Sequence, residues 1–152
     1  MGIFDKLKAV VGLAAKVSIE YPNQPVNIGG QVNVKVTVMS TTGGEVKSGG
    51  VFVDLINKEY GTVSGQGTCK KCGQTGETSV NFSREIVNVQ IPIAPAFTLA
   101  PNETKVFEGL IQIPGNGHPT YHGMVTSVWS IRGRVDMFGN DPDSGFQTIV
   151  VK

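Results

Sequence analysis

"QVNVKVTV", residues 31–38, decides the fold class. Val32, Val34, Val36 and Val38 fall on one side of an extended chain, and Gln31, Asn33, Lys35 and Thr37 fall on the other. A period of two in β-branched residues describes a strand with one face in a core and one in water. On its N-terminal side the same period occurs at Val17, Ile19 and Tyr21, and the prolines and glycines of "PNQPVNIGG" separate the two runs. On its C-terminal side "STTGGEVKSGG" reads as a turn-rich loop, followed by the strand "VFVDLINKEY". Alternation resumes in "EIVNVQIPI" at Val87, Val89, Ile91 and Ile93, and the loop "APAFTLAPNET" leads into the strand "KVFEGLIQIP", which stops at Pro114. After the loop "GNGHPTYHG", "MVTSVWSIRGRVDMF" is the longest run. Val125, Trp129, Ile131, Val135 and Met137 share one face of it, and Arg132, Arg134 and Asp136 the other. Trp129 is therefore expected in the core. "GNDPDSG" is a turn and "FQTIVVK" closes the chain.

These runs make seven strands or more with no helix between them. Parallel sheets need helical crossovers, so the strands must pair antiparallel. The expected architecture is all-β: one antiparallel β-sandwich of immunoglobulin-like type over residues 16–152. A short amphipathic helix is expected before it, over residues 1–15, because Ile3, Phe4, Leu7, Val10, Val11 and Ala14 follow helical spacing. At 152 residues a single domain of this kind has room for a full core. Charged residues are 16% of the chain, against about 25% in ordinary globular chains, which with 20 glycines and 8 prolines suits strands and turns.

The net charge is +1 and no basic cluster is longer than the two lysines of "CKKC". Nucleic-acid binding needs several phosphate-neutralising cations on one surface, so this class is set aside. No apolar run approaches the roughly 20 residues of a spanning helix. The opening residues lack the apolar core of a signal peptide, and Lys6 breaks the myristoylation pattern. A cytoplasmic protein without membrane association is expected. No nucleophile elbow, zinc-protease helix or phosphate loop is present, and the acids Asp54, Glu59, Glu77, Glu85, Glu103 and Glu108 are scattered singly. The chain is read as a non-enzyme.

The chemistry-bearing feature is "GTCKKCGQTG", residues 67–76, with Cys69 and Cys72 spaced C-x-x-C. In a reducing compartment the pair should be thiols or metal ligands. A thioredoxin-type dithiol needs a helix N-terminus, and Gly73 and Gly76 are poor helix formers. C-x-x-C-G instead reads as a zinc knuckle, which supplies two of the four ligands Zn²⁺ takes. His118 and His122, the two histidines of the chain, are spaced as a Cys₂His₂ pair is. Two strands separate the cysteine stretch, Gly61–Arg84, from the histidine loop, which returns the chain to the same end of a sandwich. Cys69, Cys72, His118 and His122 are therefore the candidate zinc ligands. A second C-x-x-C from another copy, or an intraloop disulfide on oxidation, are the alternatives. Asp136, Asn140, Asp141 and Asp143 lack calcium-loop spacing and read as a turn.

"FTLAPNETKVFEGLIQIPGNGHPTYHGMVTSVWSIRGRVDMFGNDPDSG" and "GIFDKLKAVVGLAAKVSIEYPNQPVNIGGQVNVKVTV" together resemble the arrestin-like β-sandwich superfamily, in its bacterial sporulation-control branch. The resemblance implies an arrestin-like sandwich that does adaptor work. Relatives usually carry two sandwiches in tandem where this chain has length for one. That difference, with the apolar face of Phe4, Leu7 and Val11, leads to the expectation of a homodimer or higher oligomer. The reading is a non-catalytic protein–protein interaction or scaffold module for an unidentified protein partner, with a zinc site in the cysteine loop. A thiol- or metal-dependent redox sensor is the alternative.

Overall fold

The computed structural model describes residues 14–152. The expected N-terminal helix lies outside the described residues except at its end, where Ala15 already opens the first strand. Eight strands follow in chain order: β1 (Ala15–Glu20), β2 (Gln31–Ser40), β3 (Val46–Thr68), β4 (Thr75–Ala94), β5 (Phe97–Leu99), β6 (Thr104–Gln112), β7 (Val125–Met137) and β8 (Gln147–Ile149). They form two antiparallel sheets, one ordered β1-β2-β6 and the other β4-β3-β7-β8, with β5 paired to the start of β3. The chain is an antiparallel β-sandwich.

The alternation read from the sequence is what closes it. Val32, Val34, Val36 and Val38 of β2 face Val51, Val53 and Leu55 of β3 and Trp129, Ile131 and Val135 of β7 in one core, all of them buried. Lys35, Glu20 and their neighbours stay on the outer face, where Lys35 and Glu20 pair at 3.7 Å.

On the outer face of the second sheet a polar cluster replaces the expected simple turn. Asp54 is 3% exposed and accepts from Arg132 Nε at 2.7 Å and Arg134 Nε at 3.0 Å. The segment after β7 folds back over these arginines. Asp141 accepts from Arg134 Nη1 at 2.9 Å, Asp143 accepts from Arg132 Nη1 at 3.3 Å, and the Phe146 ring lies 4.5 Å from the Arg132 guanidinium. The aspartates of this turn are thus engaged by arginine.

Two departures from the sequence reading matter. "AFTL" is not wholly loop, because Phe97–Leu99 pairs with Val46–Ser48. The stretch 61–84, read as irregular, is the outer half of a continuous hairpin. Val63 pairs with Val80, Gly65 with Thr78 and Thr68 with Thr75. β7 leaves β3 at Gly61, so from residue 62 onward β3 and β4 run on alone as a two-stranded arm. Among the described residues neither face of this arm is covered, so Phe82, Val80 and Val63 are too few and too spaced to mark its strands in a period test.

Candidate functional site

Two places gather chemistry: the end of the sandwich where the arm leaves it, and the arm's tip. The first is set by β3. Its core-facing positions run Val51, Val53, Leu55 and then Asn57 and Glu59, both buried. A buried carboxylate must be paired and hydrogen-bonded. Here it is. Glu59, 2% exposed, takes Arg84 through Nε at 2.9 Å and Nη2 at 2.7 Å on Oε2, and Tyr121 Oη at 2.7 Å and His118 Nδ1 on Oε1. Hydrogen bonds from His118, Tyr121 and Arg84, in that order, hold the Glu59 carboxyl down to about 2. The same bond to the carboxylate, helped by burial, raises the Tyr121 phenol.

A bulge makes the arrangement. β3 residues Asn57 and Lys58 pair with Val87 and Glu85, so Ile86 is the extra residue of β4. Without this shift of register Glu85 would stand opposite Glu59, two like charges face to face. With it Arg84 opposes Glu59, and Glu85 pairs with Lys58 on the other face at 3.8 Å. The bulge re-aims side chains as bulges commonly do.

The loop between β6 and β7 is tied to this end by its backbone. Asn57 Oδ1 accepts from His118 N–H at 2.9 Å, and Trp129 Nε1 donates to His118 C=O at 2.6 Å. Gly117 lies against the Trp129 ring so closely that an added Cβ would overlap it. The carboxylate is fully occupied and ionised far below neutrality. Its chemistry here is to clamp three elements, not to exchange protons.

The second place is the tip. Cys69 and Cys72 are free and exposed, in the turn that joins the two arm strands. The Cys69 thiol is lowered by a hydrogen bond from Cys72, by the backbone N–H groups of Cys72 and Lys71, and against a small opposing effect of burial.

The structure separates the four expected ligands. The histidine loop lies beside Glu59, at the end of the sandwich from which the arm leaves. The paired arm then carries the cysteines ten residues beyond Glu59, about 30 Å at the rise of a strand. His118 spends Nδ1 on Glu59, and His122 lies exposed in the loop. A single intrachain site made by Cys69, Cys72, His118 and His122 is therefore not formed. Among the described residues no group of three or more His, Cys, Asp or Glu side chains is placed to hold a metal ion. Glu59 was one of the scattered acids of the sequence. The available signal was its phase: Asn57 and Glu59 continue the core-facing series of Val51, Val53 and Leu55.

No family model matches the chain, and no curated protein matches it. Solved structures do. Spo0M, a sporulation control protein from Bacillus subtilis, superposes with a TM-score of 0.59 at 18% identity, over 91% of this chain and 49% of Spo0M. The chain thus spans about half of that protein, and what it shares with it is the arrestin-like sandwich fold. The CARDB domain of the PF1109 protein from Pyrococcus furiosus is a more distant match, at TM-score 0.44 and 15% identity over 91% of this chain and 87% of that one. Among the described residues no helix is long and apolar enough to cross a membrane.

Proposed function

We propose that this chain is a non-catalytic, cytoplasmic interaction module of the sporulation-control branch of arrestin-like proteins, and that its contact element is the arm formed by β3 and β4. The observation that carries this is where the arm's faces point. The face that is core-facing in the sandwich continues onto the arm, past the end of the opposite sheet. On it Phe82, Val63 and Val80 follow Glu59 and Arg84, with Val63 directly across from Val80. Val63 is 58% exposed and Val80 65% exposed. Among the described residues nothing beyond the ribbon covers this apolar pair, and a protein partner laid against it would bury both side chains.

The test is a comparison of the full chain with a Val63→Asp/Val80→Asp variant, each immobilised and exposed to lysate of the source cells. The reading predicts proteins retained by the parent and lost by the variant, at equal melting temperature. An identical retained set would contradict it.

A second reading is favoured by two free, exposed cysteines that line one hollow at the tip: a redox-sensing dithiol. It requires that titration with glutathione buffers convert both thiols together to one intrachain disulfide. Thiols that persist across that range, or mixed disulfides only, would sink it.

A further inference from the structure

The turn at the tip has a construction that neither the arm's apolar face nor the sandwich requires. Cys69 N–H donates to Gln74 C=O and Gly73 N–H donates to Cys69 C=O, both at 2.8 Å. Gly73 sits at φ 70, where a side chain would be strained, and that conformation closes the turn immediately after Cys72. The closure sets Cys69 and Cys72 in the lining of one hollow at the tip. Both are exposed and free. A C-x-x-C pair held in a closed turn is half of a tetrahedral thiolate site.

We propose that the tip is a two-thiolate half-site for Zn²⁺ that a second copy of this chain completes, so that Cys69 and Cys72 of two arms close one Cys₄ tetrahedron. The proposal deepens the reading of the arm as a contact element by naming the occupant of its tip.

The case for a second copy rests on reach and charge. The ion takes four ligands at about 2.0–2.3 Å, and one turn supplies two. The histidine loop is about 30 Å away along the strand. Glu77 lines the same shallow hollow as the cysteines, yet the described residues bring no third ligand to the pair. An identical turn is the simplest source of two more thiolates, and a two-fold axis through the ion satisfies both chains alike. The arm's length keeps the two sandwiches clear of one another. Binding one ion displaces four thiol protons and leaves a net charge of −2 on the ion and its sulfurs. Lys70 and Lys71 of each chain lie between the ligands in sequence and are exposed, so the two turns carry four positive charges against it.

The experiment uses the full chain, reduced and purified without chelator, followed by native mass spectrometry and zinc analysis. The expected result is a dimer with one zinc per two chains that becomes monomer on adding EDTA, with the far-ultraviolet circular dichroism unchanged. Cys69→Ser and Cys72→Ser should each lower zinc affinity by at least 100-fold, the upper end of what outer-ligand losses cost, and abolish the dimer. Both variants lie outside the core, so their folding is checked by the same dichroism. His118→Ala and His122→Ala should keep metal and dimer. Cobalt(II) in place of zinc should give the intense visible bands of a tetrahedral thiolate ion. One zinc per chain in a monomer, a dimer that survives EDTA or Cys72→Ser, or a reduced chain with two reactive thiols and no metal would each overturn the proposal. None of these bears on Val63 and Val80, whose variant tests the arm reading separately.

Discussion

Glu59 shows how one buried side chain organises an end of the molecule. Its folded carboxyl titrates at about 2 against an ordinary 4.5. A depressed carboxyl stabilises the folded form above its unfolded value, and the contribution is lost as pH falls through the folded one. The clamp on the histidine loop should therefore be complete above about pH 4.5 and fail toward pH 2. Because Trp129 donates to the backbone of His118, its fluorescence should shift as the clamp fails. In Glu59→Gln the acid-dependent part of the melting temperature between pH 4.5 and 2 should shrink; an unchanged pH profile would show that the carboxylate does not set it. Gly117→Val should cost about 1–3 kcal/mol, the usual cost of overpacking, read as a lower urea midpoint, because the new side chain overlaps the Trp129 ring. Asp54 offers a contrast on the outer face. Removing it leaves Arg132 with Asp143 and Arg134 with Asp141 but takes from each the buried acceptor of its Nε–H, so Asp54→Ala should cost about 1–3 kcal/mol. Its salt dependence should be weak, since the pair is screened little by solvent.

At the scale of elements, legibility follows burial. The valines of β2 and the Trp129 face of β7 were plain in the sequence because one side of each strand meets the core. The arm was not, because "GTVSGQGT" and "TGETSVNFS" pair through their backbones and bury neither face. The Glu59 clamp was not legible as a site either. Its members come from β3, β4 and a loop, and their meeting depends on a register shift at Ile86 that no local pattern marks. The cysteine turn was legible as C-x-x-C-G, and its distance from the histidines was not, since that distance is the length of the unseen arm. Two predictions belong here. Replacing residues 62–81 with a two-residue Asn-Gly turn should leave the melting temperature within about 2–4 °C of the parent, the shift that roughly 1 kcal/mol would produce in a chain of this size. A larger fall would mean that the arm supports the body. Deleting Ile86 should straighten β4 and keep the clamp, because Lys58–Glu85 and Glu59–Arg84 then follow Asn57–Val87 with no extra residue between them. A loss in urea denaturation larger than that of deleting an arm residue would show that the bulge itself is required.

As a whole molecule, the chain is a closed sandwich with one open limb. The body holds the buried core and ties its loops with Glu59 and Asp54, and it exposes single apolar side chains such as Met124 and Phe138 at its loops. The arm leaves an apolar pair and two thiols in water. Under the proposed function, this division gives stability to the body and contact to the arm. The sandwich is the fold shared with Spo0M, and a fold by itself fixes no partner. The measurement that tests this division most directly is a photo-crosslinking scan in the source cells. A crosslinking residue is placed in turn at Val63 and Val80 on the arm and at Lys16, Ser18 and Thr37 on the outer face of the β1-β2-β6 sheet. The account predicts discrete higher-mass adducts from Val63 and Val80 and none from the three sheet positions. Adducts from Lys16, Ser18 or Thr37 with a silent arm would contradict it.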